Sequence, residues 1–278
     1  MTLATPDFPP AVLSFGFADA TSGRGLQADV LTLASLGCHP LAVTCAVAVC
    51  DTRGVEDFVP LDTDLVVAQA RAVLEDVAVQ AIRLGVTGHV STLVAVAEIL
   101  SDYPDVRLVV EPEPGHFHHD DDSAEDYLDA LADLVVPHAE VVVCGLPGLM
   151  RLTAGACAAD EDLAMTQHEA ARMLIAEGAT HVLLTDGGEP GPVVVNELIG
   201  ASGVVRRDEW PRLAGHYLGA RATLASALAG HLAHGAPLGE AAREAQEFTW
   251  QALAAAYRPG MGLHLPDRFF WNQQGVRA

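Results

Sequence analysis

The sequence predicts a single α/β domain in which a central, mostly parallel sheet carries helices on both faces. Strand-like and helix-like segments alternate through most of the 278 residues. The strand-like runs are almost continuous in apolar residues, which is typical of a parallel sheet covered on both sides. No low-complexity linker or internal repeat divides the chain. We therefore expect one domain over 1–278, with 1–10 as a lead-in and 271–278 as a tail.

The predicted strands are short runs of β-branched and small apolar residues. They occupy 11–17, 39–50, 81–86, 107–112, 140–145 and 181–188. The run 11–17 is expected at the centre of the sheet. Residues 192–210 are expected to hold an antiparallel pair near one edge.

The predicted helices show amphipathic spacing, with acidic or hydroxyl residues near several starts and glycine near several ends. They occupy 26–37, 62–77, 90–103, 123–137, 163–178, 221–234 and 238–257. Because these segments fall between the strand-like runs, they are expected to connect neighbouring parallel strands.

The composition excludes several classes of function. Half of the residues are hydrophobic, so a sizeable core can form, and the formal net charge of −22 repels nucleic acids and anionic membranes. All 15 basic residues are arginine, which excludes a Schiff-base lysine and the lysine of a P-loop. A codon bias toward arginine is the simpler explanation of the missing lysine.

The cysteines and the N-terminus indicate a soluble, cytoplasmic protein. The number of cysteines is odd and no C-x-x-C motif occurs, which is typical of reduced, buried thiols. The five are Cys38, Cys45, Cys50, Cys144 and Cys157. The first residues lack the basic and apolar regions of a signal peptide, and no apolar run reaches about 18 residues.

The stretch GHFHHDDD at 115–122 contains three histidines and three aspartates. Its spacing matches no zinc pattern, and adjacent loop residues rarely converge on one ion. We therefore predict a solvated loop here, although its position after a strand end places it near the mouth of the expected cleft.

Four stretches, in order along the chain, carry a family resemblance. They are ADATSGRGLQAD and its continuation to residue 55, HVLLTDGGE at 181–189, GARATLASALAG at 219–230 and GMGLHLPDRFF at 260–270. Together they resemble the hydroxymethylpyrimidine/phosphomethylpyrimidine kinases of the ribokinase-like superfamily. The resemblance extends from about residue 11 to 270.

The resemblance implies a ribokinase-like fold and ATP-dependent phosphorylation of a small pyrimidine in thiamine (vitamin B1) biosynthesis. It further implies ATP and Mg²⁺ as cofactors and a homodimer. It places an anion hole for the transferred phosphate at the start of a helix, formed by Gly219, Ala220, Arg221 and Ala222. The family's proton acceptor falls on Ala222, so the base is lost.

The resemblance also assigns substrate contacts, several of them altered. The positions are Phe17, Asp19, Arg24, Asp29, Cys50 and Val86. Arg24 and Arg221 are interpreted either as a phosphate-binding pair or as ordinary surface arginines. Asp29 either holds the hydroxymethyl end of the ligand or is a surface acid, and Cys50 is either reactive or merely buried.

For the nucleotide, the resemblance assigns Asp186, Gly187 and Gly188, with an aspartate where the family has a lysine. Glu111 is the candidate metal ligand. A second metal-organising carboxylate is missing, because the corresponding segment at 143–149 has glycines at Gly145 and Gly148.

Two functional hypotheses follow from these residues. The first is a kinase of a pyrimidine alcohol or its monophosphate, weakened or altered in substrate. The second is a non-catalytic, ligand-binding or regulatory relative that keeps the fold and has lost phosphoryl transfer.

Overall fold

Nine strands form one continuous sheet in the computed structural model, which describes residues 8–112, 121–154, 166–187 and 191–275. The strands are β1 Ala11–Asp19, β2 His39–Cys50, β3 Val55–Pro60, β4 Val79–Leu84, β5 Arg107–Val110, β6 Val141–Gly145, β7 His181–Thr185, β8 Val193–Gly200 and β9 Gly203–Pro211. Their order across the sheet is β3-β2-β1-β4-β5-β6-β7-β8-β9.

The central part of the sheet is parallel, as the sequence predicts. The strands from β2 through β1, β4, β5 and β6 to β7 pair in parallel. β3 pairs antiparallel with β2 at one edge, and β8 and β9 form an antiparallel pair at the other. The prediction of a mostly parallel sheet with an antiparallel pair over 192–210 is confirmed. β1 lies in the interior, third from the β3 edge.

Eight α-helices lie in the described ranges. They are α1 Gly25–Ser35, α2 Thr63–Leu74, α3 Val90–Asp102, α4 Asp121–Leu134, α5 Leu146–Leu152, α6 Gln167–Ala176, α7 Ala220–Ala233 and α8 Leu238–Ala254. Short 3-10 turns occur at Val136–His138 and Phe270–Gly275. None of the described helices is long and apolar enough to cross a lipid bilayer.

The helices cover both faces of the sheet and create two separate cores. On one face, residues such as Leu13 and Val142 pack against α2 to α6. On the other face, their strand neighbours Val12 and Val141 pack against α1, α7 and α8. Because side chains alternate along a strand, each parallel strand supplies apolar residues to both cores, which explains the continuous apolar runs in the sequence.

Two elements differ from the predictions. β3 is a strand that the sequence did not indicate, because its sequence VEDFVP carries the charges typical of an edge strand. α5 has only seven residues and begins with Pro147 in its first turn. A seven-residue helix shows too few turns for a periodic signal, although proline at a helix start is a recognised marker.

Helix α7 lies close to its neighbours because its residues are small. It packs against α1 and against β1, β4, β5 and β6. A side chain at Gly230 would come within 3.2 Å of Leu36 at the end of α1. The start of α7 lies beside Glu111, the residue that follows β5, and so at the carboxyl ends of the parallel strands, which is where α/β folds bind ligands.

We predict that Asp62→Ala destabilises the protein by about 1 kcal/mol, the usual cost of losing an N-cap. The Asp62 side chain accepts hydrogen bonds from the backbone of Asp64 and Leu65 and so caps α2. Urea unfolding measures the change. Asp64→Ala is the matched control, since it removes the same charge from the same turn without removing a cap. Equal losses in the two variants would contradict the prediction.

Candidate active site

The turn before α7 presents backbone N–H groups toward a cavity. Gly219 has a φ of 76°, a left-handed conformation that glycine adopts without strain. The first N–H groups of any α-helix lack partners within the helix, so those of Ala220, Arg221 and Ala222 are available to an anion. The sequence places these four residues together, and the structure puts them at the N-terminus of α7.

Gly219 also makes a close backbone approach possible. A side chain there would collide with the carbonyl oxygen of Gly23. The turn before α7 therefore lies directly against the turn before α1. These two turns form adjacent walls of the same cavity.

The cavity beside α7 has a volume of about 450 Å³. Its described lining combines three arginines, one carboxylate and a partly apolar wall. The lining residues are Arg24, Arg53, Gly54, Val55, Glu111, Tyr217, Leu218, Gly219, Ala220, Arg221, Ala222 and Leu263. Such a lining favours an anionic ligand with an apolar portion.

Arg24 is a buried arginine on the cavity wall, with only 6% of its surface exposed. Its backbone N–H donates to Asp19 Oδ2 at 2.9 Å, and its Nε lies 3.6 Å from the same oxygen. Neither Nε nor Nη2 of Arg24 has a hydrogen-bond partner among the described residues. The interpretation of Arg24 as a surface arginine is therefore excluded.

Asp19 organises the turn that carries Arg24. Its Oδ1 accepts hydrogen bonds from the Thr21 backbone, the Thr21 hydroxyl and the Cys50 thiol. Burial alone would raise the pKa of Asp19, but the hydrogen bonds from Cys50, Thr21 and the Arg24 backbone outweigh it and lower that pKa. Asp19 is therefore a carboxylate that shapes the loop.

Cys50 is a hydrogen-bond donor in this structure. Its Sγ lies 2.9 Å from Asp19 Oδ1. Burial and the adjacent carboxylate raise the pKa of the Cys50 thiol. A thiol held in its protonated form is a poor nucleophile and a poor base, so the geometry favours a structural role over a reactive one.

A chain of buried charges lies beneath the cavity. Arg83, on β4, donates to Glu111 Oε2 at 2.7 Å, and its Nη1 lies 3.4 Å from Asp29 Oδ2. The Ser226 hydroxyl donates to Asp29 Oδ1 at 2.6 Å. Burial raises the pKa of Asp29, against the lowering influence of Arg83, Ser226 and Arg268. Asp29 is fully buried, so it is not the surface acid considered above.

Glu111 does not form a magnesium site with its described neighbours. Its carboxylate is bonded to Arg83, and Arg221 Nε lies 3.8 Å from its other oxygen. No group of three or more metal-ligating side chains occurs in the described part of the chain. A hard cation prefers several oxygen ligands. The described residues around Glu111 therefore do not fit a protein-built Mg²⁺ site.

Arg221 occupies the space beside Gly145. A side chain at Gly145 would lie 3.4 Å from Arg221 Nη1. The Arg221 side chain is 42% exposed, yet its Nε is buried and has no hydrogen-bond partner among the residues that the structure describes. The glycine at 145 thus leaves room for the arginine at 221, and the two departures from the family pattern are spatially linked.

Phe17 and Val86 lie outside the lining of this cavity. They belong to a buried apolar cluster with Ala46, Ala48 and Phe58. The Phe17 and Phe58 rings meet edge-to-face with centroids 5.6 Å apart. Of the six proposed substrate residues, only Arg24 is part of the described cavity lining.

The end of β7 brings Asp186 and Arg212 together. Asp186 has a φ of 51° and its backbone N–H donates to the Asn196 side chain at 2.9 Å. Its carboxylate binds the Arg212 guanidinium through two hydrogen bonds of 2.7 and 2.9 Å. The hydrogen bond from Arg212 lowers the pKa of Asp186. Gly187 follows directly, whereas Gly188 lies outside the described residues.

A second cavity of about 220 Å³ adjoins this region. Trp210 and Trp250 line it and stack with an interplanar angle of 28°. Asn196 and Gln246 supply amide groups, and Asp208 and Trp210 both bond to Gln246. Tyr217 lines both this cavity and the larger one.

Two arginines that hold the surroundings of the cavity in place were not predicted from the sequence. Arg83 stands in the apolar run AIRLGV, where a charge signals a buried partner. Arg268 is also buried and donates to the carbonyls of Ser22 and Gly23 and to the Thr223 hydroxyl. Burial lowers the pKa of Arg268 to about 10. Arg268 thereby ties the turn carrying Arg24 to α7.

Part of the histidine-rich stretch lies outside the described residues, namely 115–120. Its last two residues, Asp121 and Asp122, begin α4. Cys157 also lies outside the described ranges. The predicted solvated loop therefore remains a prediction.

We predict that Arg83→Met destabilises the protein by about 3–5 kcal/mol, because it leaves Asp29 and Glu111 buried without their cation. Asp29 has a raised pKa in the folded state, and losing Arg83 raises it further. A protonated Asp29 needs no cation, so the penalty shrinks as the pH is lowered and grows as it rises.

Urea unfolding at several pH values measures this effect. The matched control is Arg71→Met, which removes a half-exposed arginine paired with Asp102 at the surface. Exposed pairs contribute at most about 1 kcal/mol. A penalty for Arg83→Met that is small or independent of pH would contradict the prediction.

Comparison with proteins of known structure supports the fold. The chain superposes on an ADP complex of Bacillus subtilis pyridoxal kinase with a TM-score of 0.84 and 21% identity, covering 95% of this chain and 99% of that one. It superposes on phosphomethylpyrimidine kinase from Clostridium difficile 630 with a TM-score of 0.69 and 21% identity, covering 86% and 98%. These neighbours confirm the predicted ribokinase-like α/β fold.

Comparison of sequences adds the family. The family model for phosphomethylpyrimidine kinase matches residues 19–267. A hydroxymethylpyrimidine/phosphomethylpyrimidine kinase of Streptomyces coelicolor is 32% identical over 95% of this chain and 96% of its own length. The thiamine biosynthesis bifunctional protein ThiED of Geobacter sulfurreducens is 32% identical over 96% of this chain and 54% of its own length. The chain belongs to the phosphomethylpyrimidine kinase family.

Proposed function

We propose that the protein is an ATP-dependent kinase of thiamine biosynthesis that phosphorylates hydroxymethylpyrimidine or its monophosphate. One observation carries this proposal: two cavities meet at Tyr217, with the N-terminus of α7 bordering the larger one. A nucleotide base in the smaller cavity and an acceptor in the larger one would place the transferred phosphate between them.

The phosphate end of this arrangement has suitable electrostatics. Backbone N–H groups of Ala220, Arg221 and Ala222 and the positive end of the α7 dipole favour a phosphate. Arg24 and Arg221 add full positive charges on the same cavity. Phosphoryl transfer depends mainly on such positioning and charge stabilisation, so it does not require a covalent intermediate.

The nucleotide end offers an aromatic surface and amide groups. Trp210 and Trp250 supply the surface on which a base can stack. The charge of Asp186, which stands where the family has a lysine, is offset by Arg212. Mg²⁺ would enter on the phosphates of ATP, since the described residues do not form a protein site for it.

The second candidate function is a non-catalytic ligand-binding or regulatory role. The observation that favours it is Ala222, which cannot accept a proton where the family has its base. To separate the two, the purified chain is mixed with Mg-ATP and either acceptor, and ADP and phosphorylated pyrimidine are measured. Binding without any turnover would support the second function.

We further propose a homodimer in the cytoplasm. Val47, Val49 and Val59 form an exposed apolar patch on neighbouring strands β2 and β3, each between 44% and 51% exposed. An exposed apolar patch at a sheet edge is a natural site for a second copy of the chain. The four described cysteines are all unpaired, which suits a reducing compartment.

If the smaller cavity binds the base, Trp210→Ala should raise the KM for ATP about 10- to 100-fold, the usual effect of losing one stacking partner. Trp271→Ala is the matched control, because Trp271 is half exposed in the C-terminal 3-10 turn and lines neither cavity. Steady-state kinetics at saturating acceptor measures the change. An unchanged KM for ATP in the Trp210 variant would place the base elsewhere.

If the valine patch is the dimer interface, Val47→Asp should convert the protein to a monomer of about 29.1 kDa in sedimentation equilibrium. The control is Val205→Asp, which adds the same charge to an exposed valine on β9 at the opposite edge. This control should keep the dimeric mass. A wild-type protein that is monomeric at every concentration would refute the proposal.

A further inference from the structure

Arg221 lies beside the carboxylate that the sequence offered as a metal ligand. Its Nε is 3.8 Å from Glu111 Oε1, and Arg83 donates to Glu111 Oε2 at 2.7 Å. Both oxygens of this carboxylate therefore face a guanidinium. A divalent cation bound to Glu111 would lie close to two positive charges, and such repulsion is strong where the carboxylate is only 4% exposed. Glu111 is thus suited to arginine and unsuited to a metal ion.

The guanidinium of Arg221 is held on one side and accessible on the other. Its Nη1 lies next to Gly145 at the end of β6, at 3.4 Å from the position that a Cβ would have there. Its Nε side lies toward Glu111. The Arg221 side chain is nevertheless 42% exposed and lines the cavity of about 450 Å³. A ligand in this cavity can therefore reach the guanidinium.

Arg221 brings two kinds of donor to the cavity. It is the second residue of α7, and the N–H of Thr223 donates to Gly219 at the start of the helix. The backbone N–H of Arg221 therefore precedes the helical hydrogen bonds and lies at the positive end of the helix dipole. The guanidinium adds a permanent charge and can bond to two phosphate oxygens at once. Such fixed donors stabilise a transferred phosphoryl group.

We propose that Arg221 supplies the positive charge on the transferred phosphoryl group that a protein-bound divalent cation would otherwise supply. The inference rests on the proposed kinase function and adds a catalytic residue to it. Glu111 is a positioning residue, because it holds the Nε side of the guanidinium and leaves the rest for the phosphate. Gly145 leaves the space in which the guanidinium lies.

The transfer itself shows where this charge is needed. An oxygen of the acceptor forms a bond to the γ-phosphorus, and the bond from that phosphorus to the β,γ-bridging oxygen breaks. The electron pair of the broken bond leaves with ADP, and the proton of an alcohol acceptor passes to water. Negative charge is spread over the transferred group and the leaving oxygen during this step. Charge-assisted hydrogen bonds from a guanidinium stabilise that charge.

Affinity for AMP-PCP, a non-hydrolysable analogue of ATP, tests the inference without requiring turnover. Calorimetry gives the Kd of the full chain in EDTA and in excess Mg²⁺, and the same two values for Arg221→Met. Wild type should bind AMP-PCP with similar affinity in both conditions. Arg221→Met should bind it about 10- to 100-fold more weakly in EDTA, the effect of lost charge-assisted hydrogen bonds. The loss should be much smaller in Mg²⁺, because the vacated space beside Glu111 then admits a cation carried by the nucleotide.

Arg53→Met is the matched control. Arg53 lines the same cavity from the turn between β2 and β3, where it contacts Met261. Its loss should change the two affinities by the same factor, because no space opens beside Glu111. Arg221→Lys retains a charge and should keep more of the affinity in EDTA than Arg221→Met does. Thermal melting verifies that each variant is folded, and the lysine variant serves if the methionine variant is not.

The possible outcomes separate this inference from the kinase function. A wild-type chain that binds AMP-PCP only in Mg²⁺ would overturn the inference and leave the kinase function standing. The same holds for an Arg221→Met variant that loses equal affinity in both conditions. A wild-type chain that binds AMP-PCP in neither condition would overturn both. A loss confined to EDTA, and absent from the Arg53 variant, is the result that supports Arg221 as the cation of the site.

Discussion

The ion pairs of Arg83 hold the site together. This arginine is fully buried on β4 and bonded to Glu111, with Asp29 of α1 within 3.4 Å. In a medium of low dielectric constant, each charge depends on the position of the others. Since Ser226 of α7 also binds Asp29, the network joins α1, β4 and α7 with the residue that follows β5.

The cavity beside α7 depends on these buried contacts for its shape. Arg268 fixes the turn at Ser22 and Gly23 to α7, and Gly219 allows the two turns to touch. The cavity walls are therefore set before any ligand arrives, which is the condition under which fixed dipoles and charges act most strongly on a phosphate. The arginines that line the cavity, such as Arg24 and Arg221, are different residues from Arg83 and Arg268, which hold its walls in place.

Much of the fold could be predicted from the sequence, because it depends on repeated local patterns. The alternation of apolar strand-like runs with helices predicted the parallel sheet, and the two runs in 192–210 predicted its antiparallel edge. β3 and α5 were not predicted, because a charged edge strand and a seven-residue helix produce little periodicity. Their existence depends on neighbours that are distant in sequence.

The site was harder to predict, because alignment to a family pattern says which positions differ and not where they point. Phe17 and Val86 belong to a sealed apolar cluster, whereas Arg24 faces the cavity. Arg83 lies in none of the stretches that carry the resemblance, and Arg268 lies in one of them but was not predicted to have a role. Only the fold shows that each joins segments far apart in the chain. The one signal in the sequence was a charged residue inside an apolar run, and it applied to Arg83.

The contact between Gly145 and Arg221 has a consequence for how this sequence can change. A larger residue at 145 would press against the guanidinium of Arg221, which is 3.4 Å from the position of a Cβ there. A Cβ at 145 would itself be in ordinary van der Waals contact with that nitrogen, so a longer side chain there requires the partly exposed Arg221 side chain to move. The space beside Gly145 can therefore hold either the Arg221 guanidinium or a larger side chain at 145. Changes at these two positions are expected to be non-additive, because both positions use the same space.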